Sequence, residues 1–236
     1  MARFKLGIVG GMGSVAAVYF FRRLVELTPA QTDQEYIETF IHNNTSIPDR
    51  TQGILYGGVS PLPELKRSVA ILNGMGAEFI VFACMTSHYF ISELQKTSKA
   101  VIIDGVAETA AYIKNNLPGV RKVGVLASTG AVKTGVFQKA LKRVGIEPVV
   151  LEDEDQERYF MQPIYEPWGI KVGNIGARPR KRLERGARIL VEKGADAVIA
   201  GCSELPLVLS QERMSFPLVD TIDVLLQAAI NHCLTK

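Results

Sequence analysis

Short apolar runs alternate along this chain with longer segments whose apolar positions recur at helical spacing. Strands are predicted at 5–9, 36–41, 79–83, 101–103, 122–126, 148–151, 197–200 and 218–219. Most are unbroken apolar runs rather than alternating ones, as expected for parallel strands covered on both faces. Helices are predicted between them at 15–27, 63–74, 86–96, 106–117, 134–144, 180–193 and 222–233. Strand and helix in strict alternation imply parallel, doubly wound sheets. Two stretches break the rhythm. Residues 43–63 carry Asn43-Asn44, Pro48-Asp49, Gly57-Gly58 and Pro61-Leu-Pro63, and residues 165–179 carry Glu166-Pro-Trp-Gly169. The first reads as a long loop available for function and the second as a lid.

The pattern is duplicated. Gly76-Ala-Glu-Phe-Ile-Val-Phe-Ala-Cys84 returns as Gly194-Ala-Asp-Ala-Val-Ile-Ala-Gly-Cys202, and both ends are displaced by the same 118 positions (202 − 84 and 194 − 76). Leu6-Gly-Ile-Val-Gly-Gly-Met-Gly13 matches Val123-Gly-Val-Leu-Ala-Ser-Thr-Gly130, and Val101-Ile-Ile-Asp104 matches Pro217-Leu-Val-Asp220. Ile71 and Leu72 correspond to Ile189 and Leu190, on the helix before each cysteine strand. The expected fold is α/β, with two pseudo-symmetric lobes. Each lobe is a doubly wound, mostly parallel four-stranded sheet flanked by helices, and the site is expected in the cleft between them. The first lobe is 1–104 plus 221–236 and carries Cys84; the second is 105–220 and carries Cys202. In such sheets ligands bind at the carboxyl ends of the strands. Both cysteines, the Gly10–Gly13 turn and the Ser128–Gly130 turn fall at those ends.

Composition narrows the setting. At 236 residues, with 47% hydrophobic and 22% charged residues, the chain can bury a core without disulfides or metal. The net charge of +3 favours no polyanionic partner. No apolar run approaches the ~20 residues that cross a bilayer, and the first residues lead straight into a strand with no signal-peptide pattern. Three cysteines, an odd number without paired spacing, suggest a reducing compartment. The expected location is cytoplasmic.

The duplicated cysteines are the strongest chemical signal. A thiolate is a general base and a thiol a general acid. One thiol on each side of a carbon could remove a proton from one face and return it to the other. A single cysteine at a strand end reads equally well as a small buried hydrophobe; the duplication is what points to chemistry. A disulfide between the two is a third reading. Deprotonation next to a carboxylate develops enolate-like charge, which hydrogen-bond donors must stabilise. Thr86 and the N–H groups after Cys84, the turn at Ser128, Thr129 and Gly130, and the amides of Asn43 and Asn44 could supply donors. Each could also be ordinary turn or cap chemistry.

With Ala83-Cys-Met-Thr-Ser-His88, Gly201-Cys-Ser-Glu204, Gly10-Gly-Met-Gly13 and His42-Asn-Asn-Thr-Ser-Ile-Pro-Asp-Arg50, the chain resembles the aspartate/glutamate racemase family over nearly its whole length. Members carry Cys-Asn-Thr-Ala-His in the first half and Gly-Cys-Thr-Glu in the second. The two-cysteine pattern is nearer the aspartate-racemase branch than single-cysteine relatives such as arylmalonate decarboxylase. Met85 departs from the pattern in place of asparagine, and Ser87 and Ser203 are milder changes. The resemblance implies cofactor-independent racemisation of aspartate or glutamate, with Cys84 and Cys202 as catalytic acid and base. It implies substrate contacts from Met12, Asn43, Arg50, Met85, Thr86, Ser128, Thr129, Lys171 and Ser203. Arg50 and Lys171 occupy positions expected to meet a distal carboxylate, a task suited to the guanidinium fork. No cofactor and no metal are expected. The expected partners are a small-molecule amino acid and, as a homodimer, a second copy of the chain, with no nucleic acid and no membrane.

Other signals carry less. Gly11-Met-Gly13-Ser-Val-Ala16 formally fits a dinucleotide fingerprint, but the next strand ends in His42-Asn43 with no acid for a ribose. Cys84 and His88 have a metal-like spacing without a second ligand pair. His42 is read as structural, His88 as a neighbour of the site, and Cys233 as structural. The runs 152–155 and 178–185 read as solvated faces. A related cysteine isomerase or decarboxylase, and a dicarboxylate-binding protein without catalysis, remain open alternatives.

Overall fold

The computed structural model describes residues 4–234. The described residues form eight strands: β1 (Leu6–Gly10), β2 (Thr39–Asn43), β3 (Phe79–Phe82), β4 (Val101–Ile102), β5 (Lys122–Leu126), β6 (Glu147–Val149), β7 (Ala197–Ala200) and β8 (Leu218–Asp220). They form two four-stranded sheets ordered β2-β1-β3-β4 and β6-β5-β7-β8, with every pairing parallel. Two compact units result. One holds the chain up to Gly105 together with the stretch from Ile222 onward; the other is Val106–Thr221.

The duplicated Gly-Ala-acid motif has a structural task that is the same in each unit. Gly76 (φ +86°) and Gly194 (φ +93°) turn the chain out of the helices Leu62–Gly74 and Ala177–Glu192. That conformation costs a residue bearing a Cβ roughly 1–2 kcal/mol. The next residue returns a hydrogen bond to the helix, Ala77 N to Leu72 O at 3.0 Å and Ala195 N to Leu190 O at 3.1 Å. The acid then fastens the first strand of its sheet. Glu78 Oε2 accepts from Lys5 N at 3.0 Å, and Asp196 Oδ2 accepts from Arg121 N and Lys122 N at 2.8 Å each. Helix, turn and two strands are thereby locked into one register, which delivers a cysteine to the carboxyl end of β3 and of β7.

Packing repeats as well. A Cβ on Gly7 would stand 3.0 Å from Leu72 Cδ1, and one on Gly124 would stand 2.8 Å from Leu190 Cβ. A leucine of the preceding helix thus sits directly on a glycine of the central strand in both units. Leu72 and Leu190 are fully buried, and burial of such a side chain contributes about 1.5–3 kcal/mol. The first unit's core gathers Val9, Leu65, Val69, Ile80 and Phe82; the second gathers Leu126, Phe160, Leu183, Leu190 and Val198. The last helix, Thr221–Cys233, is pinned to the helix Ser14–Leu27 by Arg23, whose Nε and Nη2 reach Asp223 Oδ1 and Oδ2 at 2.7 Å each.

Several predicted elements change form. The helix expected at 86–96 is a 3₁₀ turn, Met85–Phe90, followed by a short helix, Ile91–Gln95. The helix expected at 134–144 starts earlier, at Thr129, and is broken by Gly135 into Thr129–Thr134 and Val136–Arg143. The loop predicted at 43–63 contains the helix Arg50–Leu55, capped by Asp49 Oδ1 accepting from Gln52 N at 2.8 Å. The stretch 153–165, for which periodicity predicts nothing, is helical throughout. Its acidic start lies at the surface, as expected of a solvated face, with Lys133–Asp153 and Lys193–Glu152 ion pairs across it. No helix among the described residues is long and apolar enough to cross a membrane.

Candidate active site

In the first unit the candidates follow the carboxyl ends of β1, β2 and β3. Met12 is buried in the turn after β1, and Arg50 holds that turn: Nη2 donates to Met12 O at 2.9 Å and Nη1 to Pro48 O at 3.1 Å. The Arg50 side chain is itself buried. The two neighbouring asparagines divide their tasks. Asn43 is exposed, and its Nδ2 donates to Ser14 Oγ at 3.2 Å. Asn44 is buried; its Nδ2 donates to Glu64 Oε2 and Ser68 Oγ at 3.0 Å each, while its Oδ1 accepts from Arg67 Nη2 at 3.0 Å. Asn44 is therefore a structural tie, and Asn43 is the amide left at the surface.

Cys84 lies two residues past β3 in an extended conformation and opens the 3₁₀ turn. It is in no disulfide, and it is 6% exposed. Its carbonyl is held by Ser87 Oγ at 2.6 Å and His88 Nδ1 at 3.1 Å. A carbonyl only accepts, so Nδ1 carries the proton and the neutral ring keeps its lone pair on Nε2. Burial lowers the His88 pKa, against the opposing pull of Asp104 and the carbonyls of Cys84 and Met85. His88 thus orients the turn after Cys84 through the backbone. Met85 and Thr86 are both buried beside it.

In the second unit, Ser128 caps the helix after β5, its Oγ accepting from Ala131 N at 3.2 Å. Gln156 Nε2 fastens the same turn through Ala127 O at 2.8 Å and Thr129 Oγ1 at 3.4 Å. Cys202 follows β7, with Gly201 N bonded to Leu126 O at 2.8 Å. It too is in no disulfide, and it is 9% exposed. Cys202 Sγ donates to Glu204 Oε2 at 3.0 Å, and Ser203 Oγ donates to the same oxygen at 3.2 Å. Lys171 Nζ stands 2.6 Å from Glu204 Oε1 and 5.3 Å from the Tyr165 ring centroid. Burial pushes the Glu204 carboxyl upward, but the Lys171 charge and the hydrogen bonds from Cys202, Lys171 and Ser203 prevail and lower it.

Glu204 is the functional candidate that sequence reasoning passed over. The signal is an acid two residues after the second duplicated cysteine, in the turn that follows β7. Gln156 lay in a stretch with no motif at all. Among the described residues, no group of three or more His, Cys, Asp or Glu side chains could hold a metal ion.

Comparison with known proteins identifies the family and the fold. Residues 9–229 match the family described as Asp/Glu/Hydantoin racemase. The glutamate racemase of Carboxydothermus hydrogenoformans is 27% identical over 232 residues, covering 94% of this chain and 77% of its own length. The broad specificity amino-acid racemase RacX of Bacillus subtilis is 23% identical, covering 96% of each chain. Among solved structures, the Picrophilus torridus aspartate racemase superposes with a TM-score of 0.83 at 25% identity, covering 97% of this chain and 93% of that one. The family match runs across both duplicated halves and includes both cysteine turns: the chain belongs to the Asp/Glu/hydantoin racemase family.

Proposed function

We propose that this protein racemises an acidic amino acid, aspartate or glutamate, by moving the α-proton between two thiols without a cofactor. The observation that carries the reading is the duplication: Cys84 and Cys202 each end a buried parallel strand delivered by the same Gly-Ala-acid device. One thiol removes the α-proton as thiolate while the other donates its proton to the opposite face, so the enzyme ends with the two protonation states exchanged. The carbanion shares its charge with the α-carboxylate, for which Thr86, Asn43, Ser128, Thr129 and Ser203 supply donors. Arg50 and Lys171 answer the distal carboxylate, and Met12 and Met85 supply apolar contact. The names of the relatives, aspartate racemase, glutamate racemase and broad specificity amino-acid racemase, support an acidic substrate first.

The test is incorporation of solvent deuterium at the α-carbon of L- and D-aspartate and L- and D-glutamate. Wild type is expected to exchange and racemise at least one pair. Cys84→Ser and Cys202→Ser should each nearly abolish racemisation while remaining folded. Normal turnover in either folded variant defeats the two-thiol mechanism, and no exchange with any amino acid defeats the racemase reading.

A further inference from the structure

The two thiols sit in unlike surroundings. Cys202 Sγ donates to a buried carboxylate, Glu204 Oε2, at 3.0 Å, and the other oxygen of that carboxylate meets Lys171 Nζ at 2.6 Å. Among the described residues, no acid is hydrogen-bonded to Cys84 Sγ; the groups around Cys84 bind its carbonyl instead. We propose that Glu204 is a positioning residue that holds Cys202 as the protonated thiol in the resting enzyme, making Cys202 the proton donor and Cys84 the base in the first half-reaction from that state. The proposal rests on the two-thiol reading above.

The physical reason is the charge of the acceptor. An ionised carboxylate can only accept a hydrogen bond, so the sulfur beside it must keep its proton to make one. Loss of that proton would put two anions in contact in buried surroundings, which favours the neutral thiol. Lys171 completes the arrangement by keeping Glu204 ionised. The titratable groups facing Cys202 include Glu204 directly and Lys171 behind it, with Tyr165 beyond the ammonium. In the first half-reaction the Cys84 thiolate takes the α-proton and the bonding pair stays on carbon. The Cys202 thiol then gives its proton to the opposite face and becomes the thiolate. That thiolate faces Glu204, so the enzyme relaxes back as Cys84 releases its proton to solvent and Cys202 takes one up from solvent.

The test is site-resolved alkylation of the full chain by iodoacetamide without substrate, read by peptide mass spectrometry as a function of pH. In wild type, Cys84 is expected to react faster than Cys202 near neutrality. Glu204→Gln keeps the shape and an acceptor but removes the charge, and should speed Cys202 alkylation about tenfold at pH 7, the change in thiolate fraction that one pKa unit brings. Lys171→Met removes the cation that keeps Glu204 ionised, so burial lets that carboxyl take up a proton and Cys202 should speed, in the same sense as in Glu204→Gln. Neither change should alter the Cys84 rate. Cys233, fully buried with its thiol pushed up to about 12 by burial and by Glu78, reports on loosening of the fold. If Glu204→Gln exposes Cys233, Lys171→Met carries the test alone. Wild-type Cys202 outpacing Cys84, or a Cys202 rate unmoved by the variants, overturns the proposal. Deuterium exchange at the α-carbon is independent of these rates, so failure of the racemase reading is distinguishable from failure of this one.

Discussion

Gly11 lies so close to the Asn44 backbone that a Cβ at position 11 would stand 2.2 Å from the Asn44 carbonyl carbon. The turn after β1 and the turn after β2 are therefore in direct backbone contact, and this contact sets where Met12 and Asn43 emerge. Gly11 also has φ +85°. Gly11→Ala should destabilise the protein by more than about 2 kcal/mol, since strain and overlap add. Gly57→Ala is the control: its φ is +66° but nothing lies within 4 Å, so only the backbone strain of about 1–2 kcal/mol applies. Urea unfolding of both variants checks the difference, and equal losses would refute the contact.

The adjacent asparagines should separate stability from activity. Asn44→Ala removes the partner of Glu64, Ser68 and Arg67 in a buried setting and should cost about 1–3 kcal/mol. Asn43→Ala, at an exposed position, should leave the melting temperature nearly unchanged and raise KM. Thermal melts and steady-state racemisation of the same two variants decide the matter.

Acid should destabilise the fold partly through His88. Its pKa is lowered by burial from 6.5, so the folded state favours the neutral ring. The unfolded chain takes up the proton first; the stabilisation is complete above about pH 6.5 and is lost as pH falls toward the folded value, by at most about 1.4 kcal/mol per pH unit. His42 is lowered in the same sense by burial and by Arg67, and contributes alongside. His88→Asn keeps a donor for the Cys84 carbonyl but cannot titrate. Its loss of stability between about pH 6.5 and 5.5 should be smaller than that of wild type; identical pH dependence would show that His88 titrates normally.

Met85 should matter to activity and stability in opposite directions. The side chain is 1% exposed and offers no donor. Met85→Asn adds an amide beside Cys84 and should raise kcat/KM for aspartate or glutamate by about tenfold if one hydrogen bond of ~1.4 kcal/mol is gained. Burying that amide should lower stability by about 1–3 kcal/mol. Steady-state racemisation and urea unfolding measure the two effects; a fast wild type and an unimproved variant would mark the methionine as a neutral replacement.

The sequence by itself determined the strands, their parallel arrangement and the duplicated cysteine ends. These features depend on neighbours within a few residues: unbroken apolar runs, helical spacing, and a glycine where the chain must turn out of a helix. Leu72 and Leu190 could be matched from the repeat alone, and the structure shows each resting on a glycine of its central strand. Only the tertiary structure decided what the polar side chains face. Lys171 and Glu204 are separated by 33 positions, and nothing in the local pattern of either pairs them. Asn43 and Asn44 are the same residue type in adjacent positions, yet one is exposed and the other buried in a cluster with Glu64, Arg67 and Ser68. The helix broken at Gly135 and the 3₁₀ turn after Cys84 were likewise invisible to periodicity, because elements of about two turns are too short to show a period. Periodicity reports which face of an element is buried; the partner of a buried charge is set by which elements the fold stacks against one another, and that is a long-range property of the folded chain.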